Sequence, residues 1–423
     1  MSVNNNRKCA KCGITRAEDM TVTYHRFPKP GRQTVIKAQR WAKYCWPAHD
    51  WTSFESLKSL HVSHKVLCGR HFTTSQFYDS NRLKLSIFAV PDIIESPPLS
   101  SDEQENEVYQ GMKPILIVHG GAGNIPQSRV QGKLDGVRLA VREGYKLLLQ
   151  NGSALDAVEA AVKSMEEDEN FNAGYGSVLN LDEEVEMEAS IMCGKNLDVG
   201  AVTLIKDFLH PISIARKVLT DSPHSFLGGA GAREFALEKG FPTVPPQSLI
   251  SDNAIAALKK FLEQGGEFGE TETGLAEGGV GTVGAVAIDA NGHVAVATST
   301  GGMTGKAVGR IGDTPQIGSG TYADDNVGGV STTGHGESIL KYCLAHTIIK
   351  LMEDGDSASK ATKDAVTGMT SRLKYTGGAI TLSKDGDVGV YFSSKRMSWA
   401  YIKDKKLFYG IEHDEVLEEN YKN

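Results

Sequence analysis

The chain has 423 residues, of which 40% are hydrophobic, 23% are charged and 46 are glycine, a composition typical of globular proteins with two or three domains. No run of about 18 apolar residues occurs, so we expect no transmembrane helix, and no apolar segment near the start predicts a secretory signal. Six cysteines are too few for a disulfide scaffold, so we expect a reducing compartment, nuclear or cytoplasmic.

Charge divides the sequence into two parts. Residues 1–93 carry 15 Lys and Arg against 6 Asp and Glu, a net charge of +9. The remaining 330 residues carry 30 basic and 46 acidic side chains, a net charge of −16. A basic segment of this kind favours a polyanionic partner such as nucleic acid. We therefore expect two domains with different tasks.

The basic segment contains two matched pairs of metal-binding side chains. Cys9 and Cys12 are separated by two residues, and Cys68 and His71 have the same spacing. Three thiolates and one imidazole suit tetrahedral Zn²⁺, and a domain of this size gains stability from a structural metal. Buried cysteines without metal are the alternative interpretation. The spacing predicts a structural zinc site.

Residues 1–93 also resemble the THAP-type zinc fingers, a family of small βαβ domains. The resemblance rests on five elements in order: Cys9-x2-Cys12, His25-Arg26-Phe27-Pro28, Trp41, Cys68-Gly69-Arg70-His71-Phe72 and Ala89-Val90-Pro91. It implies DNA binding through a short two-stranded sheet, with phosphate or base contacts from Lys8, Lys11, Lys65, Arg70, Arg82 and Lys84. Six phosphate contacts would make the affinity strongly salt-dependent. Ordinary solvated charges are the alternative.

A linker and a second domain follow. Residues 94–111 are rich in Pro, Ser and Glu without apolar periodicity, which predicts a disordered linker. The second domain covers 112–423 and opens with a buried strand at Ile115–Val118. Met112 could itself be an initiator, so a fusion created by an incorrect gene model stays an alternative.

Local signals in the second domain predict alternating helices and hairpins. Ser153 and Asp156 form a capping-box pattern at the start of an amphipathic helix. Two hairpins are predicted, one joining 282–288 to 294–298 and the other joining 379–383 to 388–392. Residues 264–281 are rich in Gly and Glu, and this composition predicts a mobile surface loop that ends abruptly at a strand. The domain is expected to be mixed α/β with a layered sheet core.

Three glycine-flanked threonine motifs indicate a particular chemistry. They are Gly281-Thr282-Val283-Gly284, Thr298-Ser299-Thr300-Gly301-Gly302 and Thr332-Thr333-Gly334-His335-Gly336-Glu337. A threonine hydroxyl becomes a good nucleophile when the α-amine of the same residue is its base. That amine has a pKa of about 7.7–8.0, which suits a general base. Such a role requires cleavage between Gly281 and Thr282.

These motifs are similar to those of the plant-type asparaginase and isoaspartyl peptidase family of N-terminal nucleophile hydrolases. Further matching segments are His119-Gly120-Gly121-Ala122-Gly123, Phe171-Asn172-Ala173-Gly174-Tyr175-Gly176-Ser177, Glu186-Met187-Glu188-Ala189-Ser190 and Met397-Ser398-Trp399-Ala400. The resemblance implies an α+β fold for the chain: the zinc-stabilised βαβ finger, then an αββα sandwich of two stacked antiparallel sheets.

The resemblance also implies roles for individual residues. Thr282 would be the nucleophile in both self-cleavage and catalysis, with Thr300 orienting its hydroxyl and Asn172 packed beneath it. Thr333 and the Gly334 N–H would form the oxyanion hole.

Substrate recognition follows from the same resemblance. Arg310 would bind the α-carboxylate, while Asp313 and the Gly336 carbonyl would bind the α-ammonium. The implied substrates are L-asparagine and β-aspartyl dipeptides. The family also implies a homodimer of cleaved pairs, no organic cofactor, no membrane partner and a structural Na⁺ held by carbonyls between Met165 and Ala173.

Two other functions are considered. A taspase-like threonine endopeptidase would need a site open to an internal aspartate, whereas Arg310 and Asp313 suit free α-groups. A DNA-binding regulator with an inactive hydrolase scaffold would not need the complete set of site residues. His119 and His335 are expected to be structural rather than acid–base residues.

Overall fold

A computed structural model describes residues 113–265 and 281–421, together with Cys9, Tyr24–Arg26, Ala42, Cys45, Lys58 and Val66–Cys68. By its internal contacts the chain divides into two units, Met1–Glu107 and Val108–Asn423. In the described ranges no helix is both long and apolar enough to cross a membrane.

The first unit contains a two-stranded antiparallel sheet. Strands β1 (Tyr24–Arg26) and β2 (Val66–Cys68) pair so that Tyr24 lies opposite Cys68. Cys9 is buried. The side chains of the other three predicted zinc ligands, the six predicted DNA-contacting residues and the predicted linker lie outside the described residues.

The second unit contains thirteen strands and eight helices within the residues that the structure describes. Its first half comprises β3 (Ile115–Gly123), α1 (Gln127–Leu149), α2 (Ala154–Glu166), β4 (Met187–Cys193), β5 (Asp198–Ile205), α3 (Pro211–Asp221), β6 (Phe226–Gly228), α4 (Gly229–Glu238) and α5 (Asp252–Glu263). Its second half comprises β7 (Val283–Ile288), β8 (Val294–Thr300), β9 (Thr321–Asp324), β10 (Gly328–Gly334), α6 (Gly336–Tyr342), α7 (Leu344–Glu353), α8 (Ala358–Leu373), β11 (Gly377–Ser383), β12 (Val388–Phe392), β13 (Arg396–Lys403), β14 (Lys406–Gly410) and β15 (Leu417–Asn420).

These strands form two sheets. The larger has the order β15-β14-β13-β3-β7-β8-β4-β5-β6, and the smaller has the order β12-β11-β10-β9. All pairings are antiparallel except that of β5 with β6, which is parallel. The expectation of two purely antiparallel sheets is therefore wrong at this edge. Helix α3 connects the two strands, and a helical crossover returns the chain in the same direction.

Four layers bury three apolar interfaces. Side chains alternate along β3: Leu116 and Val118 pack with helices α1 and α2, whereas Ile115 and Ile117 pack between the sheets. The third interface joins the smaller sheet to α7 and α8. At Gly329 the sheets lie so close that a Cβ would be 2.7 Å from Val296. The unit is an α+β sandwich of the type expected for an N-terminal nucleophile hydrolase.

The predicted local elements are confirmed. Ser153 caps α2 with the reciprocal hydrogen bonds of a capping box to Asp156. The first hairpin pairs Val283 with Ser299, and the second joins β11 to β12. Antiparallel pairing places the start of β7 beside the end of β8. The predicted mobile loop lies outside the described residues from 266 to 280.

Candidate active site

Thr282 and Thr300 face each other at one end of the β7–β8 hairpin. The Thr282 hydroxyl donates a hydrogen bond to Oγ1 of Thr300 at 3.2 Å. The Gly302 N–H donates to the same Thr300 oxygen at 3.0 Å. Both threonines are buried. The structure therefore brings together the predicted nucleophile and the residue predicted to orient it.

Asn172 supports the turn that follows Thr300. Its Nδ2 donates to the Gly302 carbonyl at 2.8 Å, and its Oδ1 accepts from the Val178 N–H at 3.0 Å. The Gly301 N–H donates to the Asn172 main-chain carbonyl at 2.9 Å. These bonds hold in place the turn that positions the Thr300 hydroxyl.

The residue before Thr282 occupies a space that only glycine fits. A Cβ on Gly281 would lie 2.6 Å from Oγ1 of Thr333 and 2.7 Å from the Ala122 nitrogen. Gly121 faces it with φ +101, and a Cβ there would lie 2.5 Å from the Gly281 carbonyl oxygen. Since backbone atoms cannot swing aside like a flexible side chain, both positions require glycine.

Thr333 and Gly334 lie at the end of β10, next to Gly281. Thr333 is completely buried, and its Oγ1 accepts a hydrogen bond from the Ala122 N–H at 3.1 Å. Gly334 has φ +134, and a Cβ on it would lie 2.5 Å from Cα of Gly377. The predicted oxyanion group is thus in place beside the bond expected to be cut.

A charged pocket is built from the loop before β9 and the start of α6. Arg310 donates from Nε and Nη2 to the two carboxylate oxygens of Glu337, each at 3.0 Å. A Cβ on Gly336 would lie 2.5 Å from Nη2 of Arg310 and 2.8 Å from Oδ1 of Asp313. All three predicted substrate-binding residues therefore meet in one place.

Burial and pairing set the charges of this pocket. Burial raises the pKa of Asp313 to about 7, although the neighbouring Arg310 opposes the shift. Burial would also raise the pKa of Glu337, but the hydrogen bond from Arg310 holds that pKa below its usual value. Glu337 is thus an ionised partner of Arg310 at neutral pH, whereas Asp313 changes its charge near neutral pH.

Similarity to known proteins identifies the family of this chain. The family model described as Asparaginase matches residues 112–411. The chain belongs to the asparaginase family. Isoaspartyl peptidase/L-asparaginase from Xenopus laevis is 49% identical over 304 residues, which cover 72% of this chain and 97% of the relative. A probable isoaspartyl peptidase/L-asparaginase from Drosophila melanogaster is 49% identical over 324 residues, which cover 73% of this chain and 98% of the relative. The chain is an enzyme of the asparaginase type.

Sequence reasoning missed other charged residues of this asparaginase-family site. Glu188 accepts hydrogen bonds from the Gly312 N–H at 3.0 and 3.1 Å, and burial raises its pKa. Lys306 donates to the Glu186 carbonyl at 2.7 Å, and burial lowers its pKa to about 8. Glu188 and Glu337 lie within motifs recognised in the sequence, but no role was predicted for either of them. Lys306 carried no signal in the sequence, because only folding buries it.

The two histidines of the motifs are neutral at physiological pH. Burial lowers the pKa of His119 to about 3 and also lowers that of His335. His335 stacks on Tyr375 with ring centroids 3.9 Å apart and donates its N–H from the main chain to Thr376. Neither imidazole is poised to exchange protons near pH 7.

The two predicted metal sites are the zinc site, of which the structure fully describes only Cys9, and the Na⁺ segment from Met165 to Ala173, which is described throughout. In the described part of the chain no group of three or more His, Cys, Asp or Glu side chains could hold a metal ion. The segment from Met165 to Ala173 offers main-chain carbonyls, the oxygen donors that Na⁺ needs. Among them, the Glu166 carbonyl accepts from the Tyr175 N–H at 2.8 Å and the Asp168 carbonyl from the Phe171 N–H at 3.0 Å.

Proposed function

We propose that the chain is a self-activating threonine hydrolase that cleaves L-asparagine to aspartate and ammonia, and β-aspartyl dipeptides to aspartate and the second amino acid. The observation that carries this proposal is the Thr282–Thr300 hydroxyl pair, placed directly after an obligatory glycine. The names of its relatives include both activities.

Self-activation would use the Thr282 hydroxyl against the preceding peptide bond. Oγ1 attacks the Gly281 carbonyl carbon and a C–O bond forms; the C–N bond then breaks, and the hydroxyl proton passes to the released nitrogen, which leaves an ester and a free α-amine. Water then hydrolyses the ester and releases a fragment that ends at Gly281. Buried hydroxyls and close glycines on both sides hold the carbonyl near the attacking oxygen.

Catalysis would reuse the same hydroxyl. The freed α-amine of Thr282 accepts the hydroxyl proton while Oγ1 attacks the β-carbonyl of the substrate. Thr333 and the Gly334 N–H stabilise the oxyanion, a contribution of about 3–4 kcal/mol for each donor. The leaving ammonia or amino acid takes up the proton, and water hydrolyses the resulting ester.

The charged pocket would select substrates with free α-groups. The Arg310 guanidinium binds the α-carboxylate, and Asp313 with the Gly336 carbonyl binds the α-ammonium. Both groups are amides in the middle of a polypeptide, so the pocket disfavours an internal aspartate. This is the reason to prefer the asparaginase and dipeptidase reactions over a taspase-like endopeptidase.

The deciding experiment is the intact mass of the purified full chain, compared with Thr282→Ala and Thr282→Ser. We expect wild type to form two fragments that meet at Gly281/Thr282, Thr282→Ser to cleave slowly and Thr282→Ala to stay whole. Matured wild type should then hydrolyse L-asparagine and a β-aspartyl dipeptide but not a peptide with an internal aspartate. An uncut, inactive wild type would instead favour the scaffold hypothesis.

We further propose that residues 1–93 bind DNA through a zinc-stabilised fold. The support is the matched spacing of Cys9/Cys12 and Cys68/His71, the net charge of +9 and the small β1–β2 sheet that contains Cys68. The proposed ligands are these four side chains, and the proposed contacts are Lys8, Lys11, Lys65, Arg70, Arg82 and Lys84. Binding to duplex DNA should weaken steeply with salt and be lost in Cys12→Ala.

The proposed assembly has three further parts. Cleaved pairs form a homodimer, which sedimentation of the matured protein would test. Na⁺ binds the carbonyls between Met165 and Ala173, which the effect of NaCl against KCl on thermal unfolding would test. Residence in the nucleus, with or without a cytoplasmic pool, follows if the DNA-binding segment is functional.

A further inference from the structure

Two buried carboxylates of the motif Glu186-Met187-Glu188 have no role in the proposed reaction. Glu186 is 3% exposed and immediately precedes β4, and Glu188, on that strand, is completely buried. Strand β4 lies next to β8 in the larger sheet, where Glu188 is opposite Thr300 in the register. Because burying a carboxylate is costly unless the group is paired or hydrogen-bonded, the partners of these two side chains indicate what they do.

Each carboxylate accepts a hydrogen bond from the main chain of the loop that carries Arg310. Oε2 of Glu186 accepts from the Gly309 N–H at 3.1 Å. The two oxygens of Glu188 accept from the Gly312 N–H at 3.0 and 3.1 Å. A main-chain N–H can only donate, so the direction of each bond is unambiguous. The loop is therefore held on both sides of Arg310.

These two contacts place both proposed substrate-binding side chains. Arg310 directly follows Gly309 in the sequence. In the same way, Asp313 directly follows Gly312, and its main-chain carbonyl accepts from the Gln316 N–H at 2.9 Å. The distance between the guanidinium and the carboxylate must match the distance between the α-carboxylate and the α-ammonium of the substrate. That distance therefore depends on where the two buried glutamates hold the loop.

A buried cation lies beside the two glutamates. Lys306 is 1% exposed, and its Nζ donates to the main-chain carbonyl of Glu186 at 2.7 Å. Burial raises the pKa of Glu188, and the nearby Lys306 charge opposes that shift. The ammonium thus favours the ionised form of Glu188, which is the stronger acceptor for the Gly312 N–H.

We propose that the Glu186 and Glu188 carboxylates are positioning groups for the substrate pocket. They set the distance between the Arg310 guanidinium and the Asp313 carboxylate, and so select for substrates with both α-groups. This inference deepens the proposed function and rests on Arg310 and Asp313 binding the substrate. Two groups of one ligand reinforce each other only when both partners can be reached at once. A displaced loop should therefore weaken a ligand with both groups more than a ligand with one.

Three product analogues test this role in matured enzyme. L-Aspartate has both α-groups, succinate lacks the α-ammonium, and β-alanine lacks the α-carboxylate. In Glu188→Gln we expect the inhibition constant of L-aspartate to rise about tenfold, and those of succinate and β-alanine to rise less than about twofold. KM for L-asparagine should rise with the constant of L-aspartate, while kcat changes less than about twofold. An equal rise for all three ligands would overturn the proposal.

Two other glutamates provide the controls. Glu238→Gln, on an exposed glutamate of α4, should leave all three inhibition constants unchanged. Glu337→Gln removes the ion pair of Arg310 itself, so L-aspartate and succinate should weaken together while β-alanine does not. If Glu188→Gln gave this second pattern, Glu188 would act on Arg310 alone, and the proposed spacing role would be wrong.

Amide hydrogen exchange tests the contacts without relying on activity. In full-length Glu188→Gln we expect exchange in the peptides covering 309–314 to be about tenfold faster than in wild type, and exchange in β3 and β7 to be unchanged. Unchanged exchange in 309–314 would overturn the proposal. If wild type neither cleaves itself nor hydrolyses L-asparagine, the proposed function fails, while the exchange measurement still tests Glu188 separately.

A second variant covers a failure of Glu188→Gln to fold or to mature. That substitution takes away part of the charge that compensates the buried Lys306 ammonium. The double variant Glu188→Gln/Lys306→Met removes both charges, and neutral replacement of a buried pair is often tolerated. We expect the double variant to weaken L-aspartate selectively, as described for the single one. Wild-type affinity for L-aspartate in the double variant would contradict the proposal.

Discussion

The proposed nucleophile region, made of Thr282, Thr300 and Thr333, and the proposed substrate pocket around Arg310 are built in opposite ways. Thr282, Thr300 and Thr333 lie at the ends of strands, are buried and carry no charge. Arg310 and Glu337 lie in a loop and at the start of a helix, and they form a bidentate ion pair. The first region is uncharged and buried, and the second is charged and partly open to solvent.

This difference shows where each region obtains its reactivity. In the uncut chain the Thr282 hydroxyl donates to another hydroxyl, that of Thr300, and the proposed base, the Thr282 α-amine, becomes free only when the 281–282 bond is cut. The pocket needs no such step, because its charges are already paired before substrate arrives. Burial of the Asp313 carboxylate has already raised its pKa to about 7. Maturation should therefore depend on packing, and substrate binding on charge.

The largest expected effect is that of Gly281→Ala on maturation. The added Cβ would lie within 2.8 Å of Thr333 Oγ1 and of two backbone atoms of Ala122, so the scissile carbonyl must move. We expect self-cleavage to slow about 100-fold, as measured by intact mass over time. Gly231→Ala is the matched control, since nothing lies within 4 Å of a Cβ at that position. Normal cleavage of Gly281→Ala would show that packing does not control maturation.

A smaller effect is expected for pH on substrate binding. Asp313 is the proposed partner of the α-ammonium and could bind it only when ionised, and its pKa is about 7. Because the carboxylate is lost as pH falls through that value, KM for L-asparagine should rise about tenfold from pH 8 to pH 6. Steady-state kinetics of matured enzyme would measure this, with Asp313→Asn as the variant whose KM is high and independent of pH. A KM that is constant in wild type would mean that Asp313 stays ionised throughout.

The smallest expected effect is that of Glu337→Gln. The amide keeps the shape of the carboxylate but removes the charge that orients the Arg310 guanidinium. We expect KM for L-asparagine to rise about fivefold with kcat unchanged, the effect of about 1 kcal/mol. A fall in KM would instead show that Glu337 competes with the substrate carboxylate for Arg310.

Much of the second unit could be predicted because its signals are local. Alternating apolar residues and turn residues located both hairpins, and Ser153 with Asp156 located the start of α2. The parallel pairing of β6 with β5 could not be predicted, since β6 has only three residues and two of them are exposed. Such a strand has no hydrophobic alternation to indicate its partner or its direction.

By itself the sequence determined which residues could do the chemistry: a Gly–Thr junction at the start of a strand, and an arginine and an aspartate separated by two residues. Only the tertiary structure decided which groups they meet. Lys306 bonds to a carbonyl 120 residues away, and His119 bonds to Ser331 across 212 residues. Local propensity says nothing about such pairs, because they depend on how the two sheets stack. The pKa values of Asp313 and His119 follow from that burial.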